Sequence, residues 1–191
     1  MAGPAVGLWL FEHRSFEEIR ASAIPWLQTF CDPVETEIDG GLAFRVREPA
    51  VLGLHPFNTD GAGMFFLSED DIMPADDEDY SAFSPAPVQG LILASGVSGQ
   101  VNHILLGHLA LAFARRLNAV IDFDGVLGFI PGDRMHEAAD LARARALVAS
   151  LPGTLREVSY DTGGGDRWIR HVGDREFLTA WLQHPDFHLI K

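Results

Sequence analysis

The stretch that decides the fold runs Gln89-Gly90-Leu91-Ile92-Leu93-Ala94, then Asn102 to Leu117, then Asn118-Ala119-Val120-Ile121-Asp122-Phe123. It reads as strand, helix, strand. The middle segment places Ile104, Leu105, Leu109, Ala112 and Phe113 on more than one side. A helix that is apolar almost all round is buried rather than laid on a surface, so the core is expected to form around it. With 191 residues and 47% hydrophobic composition the chain can enclose such a core within one domain.

Outward from this unit the first half reads mostly as antiparallel strands. Ala5 to Phe11 alternates loosely as a strand. Ser15 and Glu18 have the spacing of a capping box, which opens a helix from Phe16 to about Phe30. Pro25 should kink that helix, and Asp32-Pro33 should end it. Val34 to Ile38 and Leu42 to Val46 flank Asp39-Gly40-Gly41, a tight-turn signature for a hairpin. Ala50 to Phe57 and Met64 to Leu67 read as another strand pair across Asn58-Thr59-Asp60-Gly61.

Downstream of the central unit, a third helix is expected from Asp133 to about Ser150. Ala138, Leu141, Ala142, Arg145 and Val148 mark its partly apolar face. Leu155 to Tyr160 and Trp168 to Val172 form a last hairpin. Asp174 caps a short helix, Arg175 to Gln183, and Phe187 to Ile190 closes the sheet as an edge strand. The fold class expected is α+β: a single domain over 1–191, a mainly antiparallel sheet, a buried central helix and two or three further helices.

The formal net charge is -13, which disfavours nucleic acid and anionic membranes and favours basic partners. The charge is unevenly placed. Between Arg47 and Arg115 there is no Lys or Arg, while Glu48, Asp60, Glu69, Asp70, Asp71, Asp76, Asp77, Glu78 and Asp79 fall in that interval. No apolar run spans a bilayer, since even the central helix holds His103, His108, Arg115 and Arg116. Met1-Ala2-Gly3-Pro4 carries no basic region of the kind that opens a secretory signal. Cys31 is the only cysteine, so no intrachain disulfide forms, which suits the cytoplasm.

Two stretches could carry chemistry. Asp122-Phe123-Asp124-Gly125, after an apolar strand, resembles the first motif of haloacid-dehalogenase-like phosphatases. That resemblance implies Asp122 as nucleophile, Asp124 as acid/base and a magnesium ion between carboxylate and phosphate. The rest of that pattern is missing: Lys191 is the only lysine, and 67 residues follow Asp124. The alternative is a turn in which aspartates bond the local backbone. Ser68 to Val88 is the other stretch, acidic and long for a structureless connection. Its Glu69, Asp70, Asp71, Asp76, Asp77, Glu78 and Asp79, with Met73, Tyr80 and Phe83 interleaved, read either as a solvated loop or as a docking surface for a basic protein. They lack the alternation of a calcium loop.

The remaining polar groups point to no cofactor or metal. His103 and His108, about 140° apart around the helix, cannot chelate one ion and read as core histidines. Gly96-Val97-Ser98-Gly99 lacks phosphate-loop spacing. Asp32 beside Cys31 raises the thiol pKa and disfavours a nucleophile.

Asn102-His103 with Leu105-Leu106-Gly107, Val120 to Phe123 with Gly125, and Trp181-Leu182 with His184-Pro185, Phe187-His188 and Ile190-Lys191 together resemble a family of uncharacterised actinobacterial proteins of similar length. More loosely, they resemble immunity proteins of bacterial polymorphic toxin systems. The resemblance implies a cytoplasmic, non-enzymatic protein that neutralises a cognate toxin, and it transfers no catalytic residue. The expected function is therefore binding of a basic partner such as a toxin domain. The alternatives are a magnesium-dependent phosphohydrolase and a small-molecule-binding domain.

Overall fold

The computed structural model describes residues 3–129 and 137–190. Eight strands form one sheet: β1 (Ala5–Leu10), β2 (Cys31–Thr36), β3 (Leu42–Val46), β4 (Phe65–Asp70), β5 (Gln89–Ser95), β6 (Val120–Asp122), β7 (Leu155–Asp161) and β8 (Arg167–Gly173). Their order is β2-β3-β4-β5-β1-β6-β8-β7, and each neighbouring pair is antiparallel. Among the described residues four helices accompany the sheet: α1 (Phe16–Leu27), α2 (Gln100–Leu117), α3 (Glu137–Ala149) and α4 (Arg175–Trp181). The chain is thus a single α+β domain, as its periodicities predict.

The central unit is a split strand–helix–strand. β5 and β6 each run antiparallel to β1, which lies between them, so α2 connects two strands that point the same way. α2 is buried over most of its circumference, with Leu105, Leu106, Leu109, Ala110 and Ala114 fully enclosed. Its N-terminus is fixed by Asn102, whose side chain accepts from the Gly63 N–H at 2.9 Å and donates to the carbonyls of Gly61 and Ser98. Left-handed Asn118 ends it, a position that asparagine tolerates. α1 has the predicted capping box at Ser15 and Glu18. It packs on α2 through Trp26, whose ring meets Phe113 edge-on at 5.0 Å.

Several sequence expectations are corrected. Residues 50–57 are not a strand: Pro49–Leu52 forms a 3-10 turn closed by left-handed Gly53. α1 stops at Leu27, and Asp32-Pro33 lies within β2 rather than at a helix end. β2 is the sheet's edge, where a proline costs no ladder bond. Phe187 to Ile190 forms no strand. Its Leu189 N–H donates to His103 Nδ1 at 3.0 Å, its His188 carbonyl accepts from the Trp181 indole at 3.1 Å, and its Ile190 carbonyl accepts from the Ala5 N–H of β1 at 3.3 Å. On α3 the buried residues are Ala144 and Val148, whereas Ala138, Ala142 and Arg145 are exposed. The expected start of that helix at Asp133 lies outside the described residues, as do Lys191 and Ile130.

The large core, including α1, α2, α4 and part of α3, covers one face of the sheet. A second, small cluster of Trp9, Phe83, Val158 and Val172 lies apart from it. Alternation along the strands places Trp9, Val158 and Val172, with Asp122 and Arg170, on the opposite face, where Phe83 packs on them.

Candidate functional site

The acidic stretch supplies what covers that helix-free face. β4 already contains Ser68, Glu69 and Asp70, paired with β5 through Ile92, Leu91 and Gly90. Beyond Asp70 the chain turns and crosses the sheet towards its other edge. There Glu78 bridges Tyr160 of β7, the Asp79 N–H donates to the Ser159 carbonyl at 2.9 Å, and the Asp161 N–H donates to the Asp77 carbonyl at 3.2 Å. The crossing is close. A Cβ added to Gly90 would sit 2.9 Å from Met73 Cβ and 3.1 Å from Asp70 Cβ, so the strap lies flush on β5 because residue 90 has no side chain.

The strap's residues divide by direction. Met73, Tyr80 and Phe83 pack on the second cluster: Tyr80 and Phe83 meet the Trp9 ring edge-on at 5.4 and 5.9 Å. Arg156 lies over the Phe83 ring at 5.2 Å. The interleaved aromatics are therefore engaged with the protein's own sheet. Asp71, Asp76, Asp77 and Asp79 are exposed, and between them Ile72 is 77% exposed. Asp79 also caps the short turn at Tyr80–Ala82 by accepting from the Ser81 N–H at 3.0 Å. Glu69 accepts from the Gln89 amide at 2.8 Å.

Beneath the strap lies a buried chain of charge. Arg170 of β8 reaches Glu78 on one side and Asp122 of β6 on the other, each at 3.0 Å. Tyr80 donates its hydroxyl to the second oxygen of Glu78 at 2.5 Å and accepts from the Ala75 N–H at 3.0 Å. The Tyr160 ring stacks beneath the guanidinium, 4.5 Å from its carbon. Two carboxylates share one cation in a place water hardly reaches. Burial pushes the Asp122 carboxyl up to about 6, against the pull of Arg170 and of the Asp124 N–H. Burial and Glu78 push the Tyr80 hydroxyl up as well, so it stays a neutral donor.

This geometry defines how the two aspartates are held. Asp122 is 4% exposed. One of its oxygens takes the Arg170 donor, and the other accepts from the Asp124 N–H at 2.9 Å. Asp124 is exposed and has a left-handed backbone. The pair forms an Asx-type turn anchored to an arginine, with the Asp122 carboxylate turned towards the protein.

A cavity of about 200 Å³ opens at the strap's edge, lined by Trp9, Asp70, Met73, Glu78, Tyr80 and Arg170, with Ile72, Ala75 and Ile92 at its walls. Among the described residues no group of three or more His, Cys, Asp or Glu could hold a metal ion, and no helix is long and apolar enough to cross a membrane.

The other candidates are buried or bonded within the fold. His108 bonds the Leu52 carbonyl through Nδ1 at 3.0 Å, and burial lowers its pKa. Cys31 is buried, and it is burial, not Asp32, that pushes its thiol up to about 12. His171 was not singled out by sequence reasoning. It is buried, accepts from the Leu127 N–H at 3.1 Å, and its pKa is lowered, chiefly by burial. Trp9 and Arg170 were missed too. The available signal was an arginine on the inward register of a strand whose neighbour Val172 is apolar.

Fold and site together define an α+β protein with one antiparallel sheet, helices on one face and an acidic strap on the other. The chain belongs to a family of unknown function, DUF6368, whose model matches residues 2–191. No curated protein and no solved structure matches it.

Proposed function

We propose that this is a non-enzymatic binding protein of the cytoplasm that captures a basic protein on its strapped face, as an immunity protein captures a toxin. The observation that carries the reading is the fixed display of Asp71, Asp76, Asp77 and Asp79 on the outside of a strap bonded to β7. Charges held in place lose little freedom on binding, so more of their attraction survives as affinity. Charge of one sign also speeds encounter with an opposite partner and suppresses wrong ones. The chain's interval without Lys or Arg, Arg47 to Arg115, contains the whole strap, and the arginines that meet it, Arg156 and Arg170, come from β7 and β8 and pack on its sheet-facing Phe83 and Glu78.

The test compares the wild type with a variant in which Asp71, Asp76, Asp77 and Asp79 are all replaced by Asn. Each is used to capture partners from a lysate at low and high salt, and association rates are then measured with the purified partner. The expected result is a basic partner bound by the wild type, with an association rate that falls steeply with salt and flattens in the variant. An acidic partner, or equal rates for both proteins at every salt concentration, would overturn the proposal.

A further inference from the structure

We propose that the cavity at the strap's edge binds a primary carboxamide, the group carried by glutamine and asparagine side chains and by free small amides. The fold leaves two hydrogen-bond donors of its lining unused. Arg170 Nε is the one buried side-chain nitrogen or oxygen without a partner among the described residues. Its N–H shares an edge of the guanidinium fork with Nη2, and Nη2 bonds Glu78, so the unused donor points to the strap's side. Trp9 is 1% exposed, and its indole N–H likewise has no acceptor among the described residues. Unlike Arg170 Nε that nitrogen is not sealed, so the small part of Trp9 that is exposed includes it. Both residues line the cavity. Native structures rarely leave buried donors unpaired.

The other polar groups of the lining are committed, with one exception. Glu78 gives one oxygen to Arg170 and the other to the Tyr80 hydroxyl. That hydroxyl accepts from the Ala75 N–H. Asp70 accepts from the Ile72 N–H through Oδ1 at 3.1 Å and keeps Oδ2 free. The lining thus presents two donors and one acceptor.

A primary carboxamide matches that set. Its carbonyl oxygen has two lone pairs for Trp9 and Arg170, and its NH2 donates to Asp70. An alkylammonium has no acceptor for either donor. A carboxylate has nothing to give Asp70, and it brings a further negative charge to a guanidinium already shared by Glu78 and Asp122. Size agrees: about 200 Å³ lies below the roughly 300–1,000 Å³ usual for drug-sized ligands. Ile72 and Ile92, 77% and 38% exposed, offer apolar contact to a short methylene stem. Asp71, Asp76, Asp77 and Asp79 are not in this lining, so the carboxamide site and the capture of a basic partner can each fail without the other.

The test titrates four probes into isotope-labelled protein at neutral pH and follows them by NMR: a short Gly/Ser peptide with a single glutamine, the same peptide with glutamate in its place, butyramide and n-butylammonium. The glutamine peptide and butyramide should move the Trp9 indole N–H and Arg170 Nε–H resonances and the methyls of Ile72, Met73 and Ile92. The glutamate peptide and n-butylammonium should not. In Asp70→Asn the new side chain keeps its oxygen on the Ile72 N–H and puts an NH2 where Oδ2 was. That variant should weaken the glutamine peptide about fivefold, the worth of one hydrogen bond, and admit the glutamate peptide, an inversion that a disturbed fold does not produce. Ala75→Leu, which fills the cavity from its wall, should abolish binding, and Asp70→Asn keeps the test open should that variant misfold.

Saturation by the peptide at a lower concentration than butyramide would support the site and assign it to a glutamine of a partner. The reverse order would support it as a site for a free amide. Equal shifts from the glutamine and glutamate peptides, binding of n-butylammonium at Trp9, or no shift at Trp9 with any probe would overturn the proposal. So would an Asp70→Asn variant that binds the glutamine peptide as the wild type does.

Discussion

Replacing Asp122 by Asn should stabilise the protein at neutral pH and do nothing in acid. Asp122 has two donors, Arg170 and the Asp124 N–H, yet its carboxyl is raised to about 6 from the ordinary 3.8. At about 1.4 kcal/mol for each pH unit, that gap disfavours the ionised form in the folded protein by about 3 kcal/mol. The sign follows from linkage. The folded state holds the proton more tightly than the unfolded state, so the group's stabilisation is full below 3.8 and is lost as pH rises through about 6. Asparagine removes that loss. It also offers one acceptor oxygen where the carboxylate offered two, which costs about 1 kcal/mol for one hydrogen bond. Arg170 keeps Glu78, so no cation is stranded. The expected net gain at pH 7.5 is about 2 kcal/mol, measured by urea unfolding and shrinking to nothing or slightly below by pH 4. The difference between variant and wild type is the quantity to follow. His108 and His171, whose pKa values are lowered by burial, act the other way and lose stability as pH falls below 6.5. Loss of about 3–5 kcal/mol at pH 7.5, the usual result of breaking a buried pair, would refute the reasoning and make the Asp122 charge a net stabiliser.

Arg170→Met leaves Glu78 and Asp122 facing each other without their cation. It should cost about 3–5 kcal/mol and speed hydrogen exchange at the Asp79 and Asp161 amides, which are bonded across the strap. Leu109→Ala, at a fully enclosed position on α2, should cost about 2–5 kcal/mol in the same unfolding assay. In the wild type the Asp79 and Asp161 amides should exchange slowly, and exchange at the rate of free chain would show that the strap is not seated on β7.

What the sequence disclosed depended on how local the signal was. α2 is legible because Leu105, Leu109 and Phe113 recur at helical spacing within one segment, and the hairpin at Asp39-Gly40-Gly41 because its turn residues are adjacent. Residues 50–57 misled because Val51, Leu52 and Leu54 form an apolar run. Gly53, in a left-handed conformation, bends that run into a turn that no alternation could reveal. The strap is legible only as composition. Nothing periodic tells Glu78 from Asp77, yet Glu78 is enclosed against an arginine ninety-two positions away while Asp77 faces solvent. Pairings of that range are decided by the order of strands, which places β8 beside β6 at the far side of the split unit.

Sealing the sheet accounts for half of the strap and leaves the other half to be explained. Met73, Tyr80 and Phe83 cover Trp9, and Glu78 closes the Arg170 chain; a strap without them would leave the second cluster wet. Covering the sheet does not require aspartate at 71, 76 and 77. Their carboxylates make no hydrogen bond or ion pair among the described residues, and like charges crowded together oppose folding. Polar neutral residues there would seal as well at less cost. Replacing these three with Asn should therefore raise stability by a few tenths of a kcal/mol, roughly the scale of a surface charge effect. The gain should be measurable in dilute buffer and vanish near 1 M salt, where the screening length is about 3 Å. The same variant should associate more slowly with a basic partner. Stability that falls by more than about 1 kcal/mol would assign the three aspartates to the fold. A small gain coupled to slower capture would assign them to the partner.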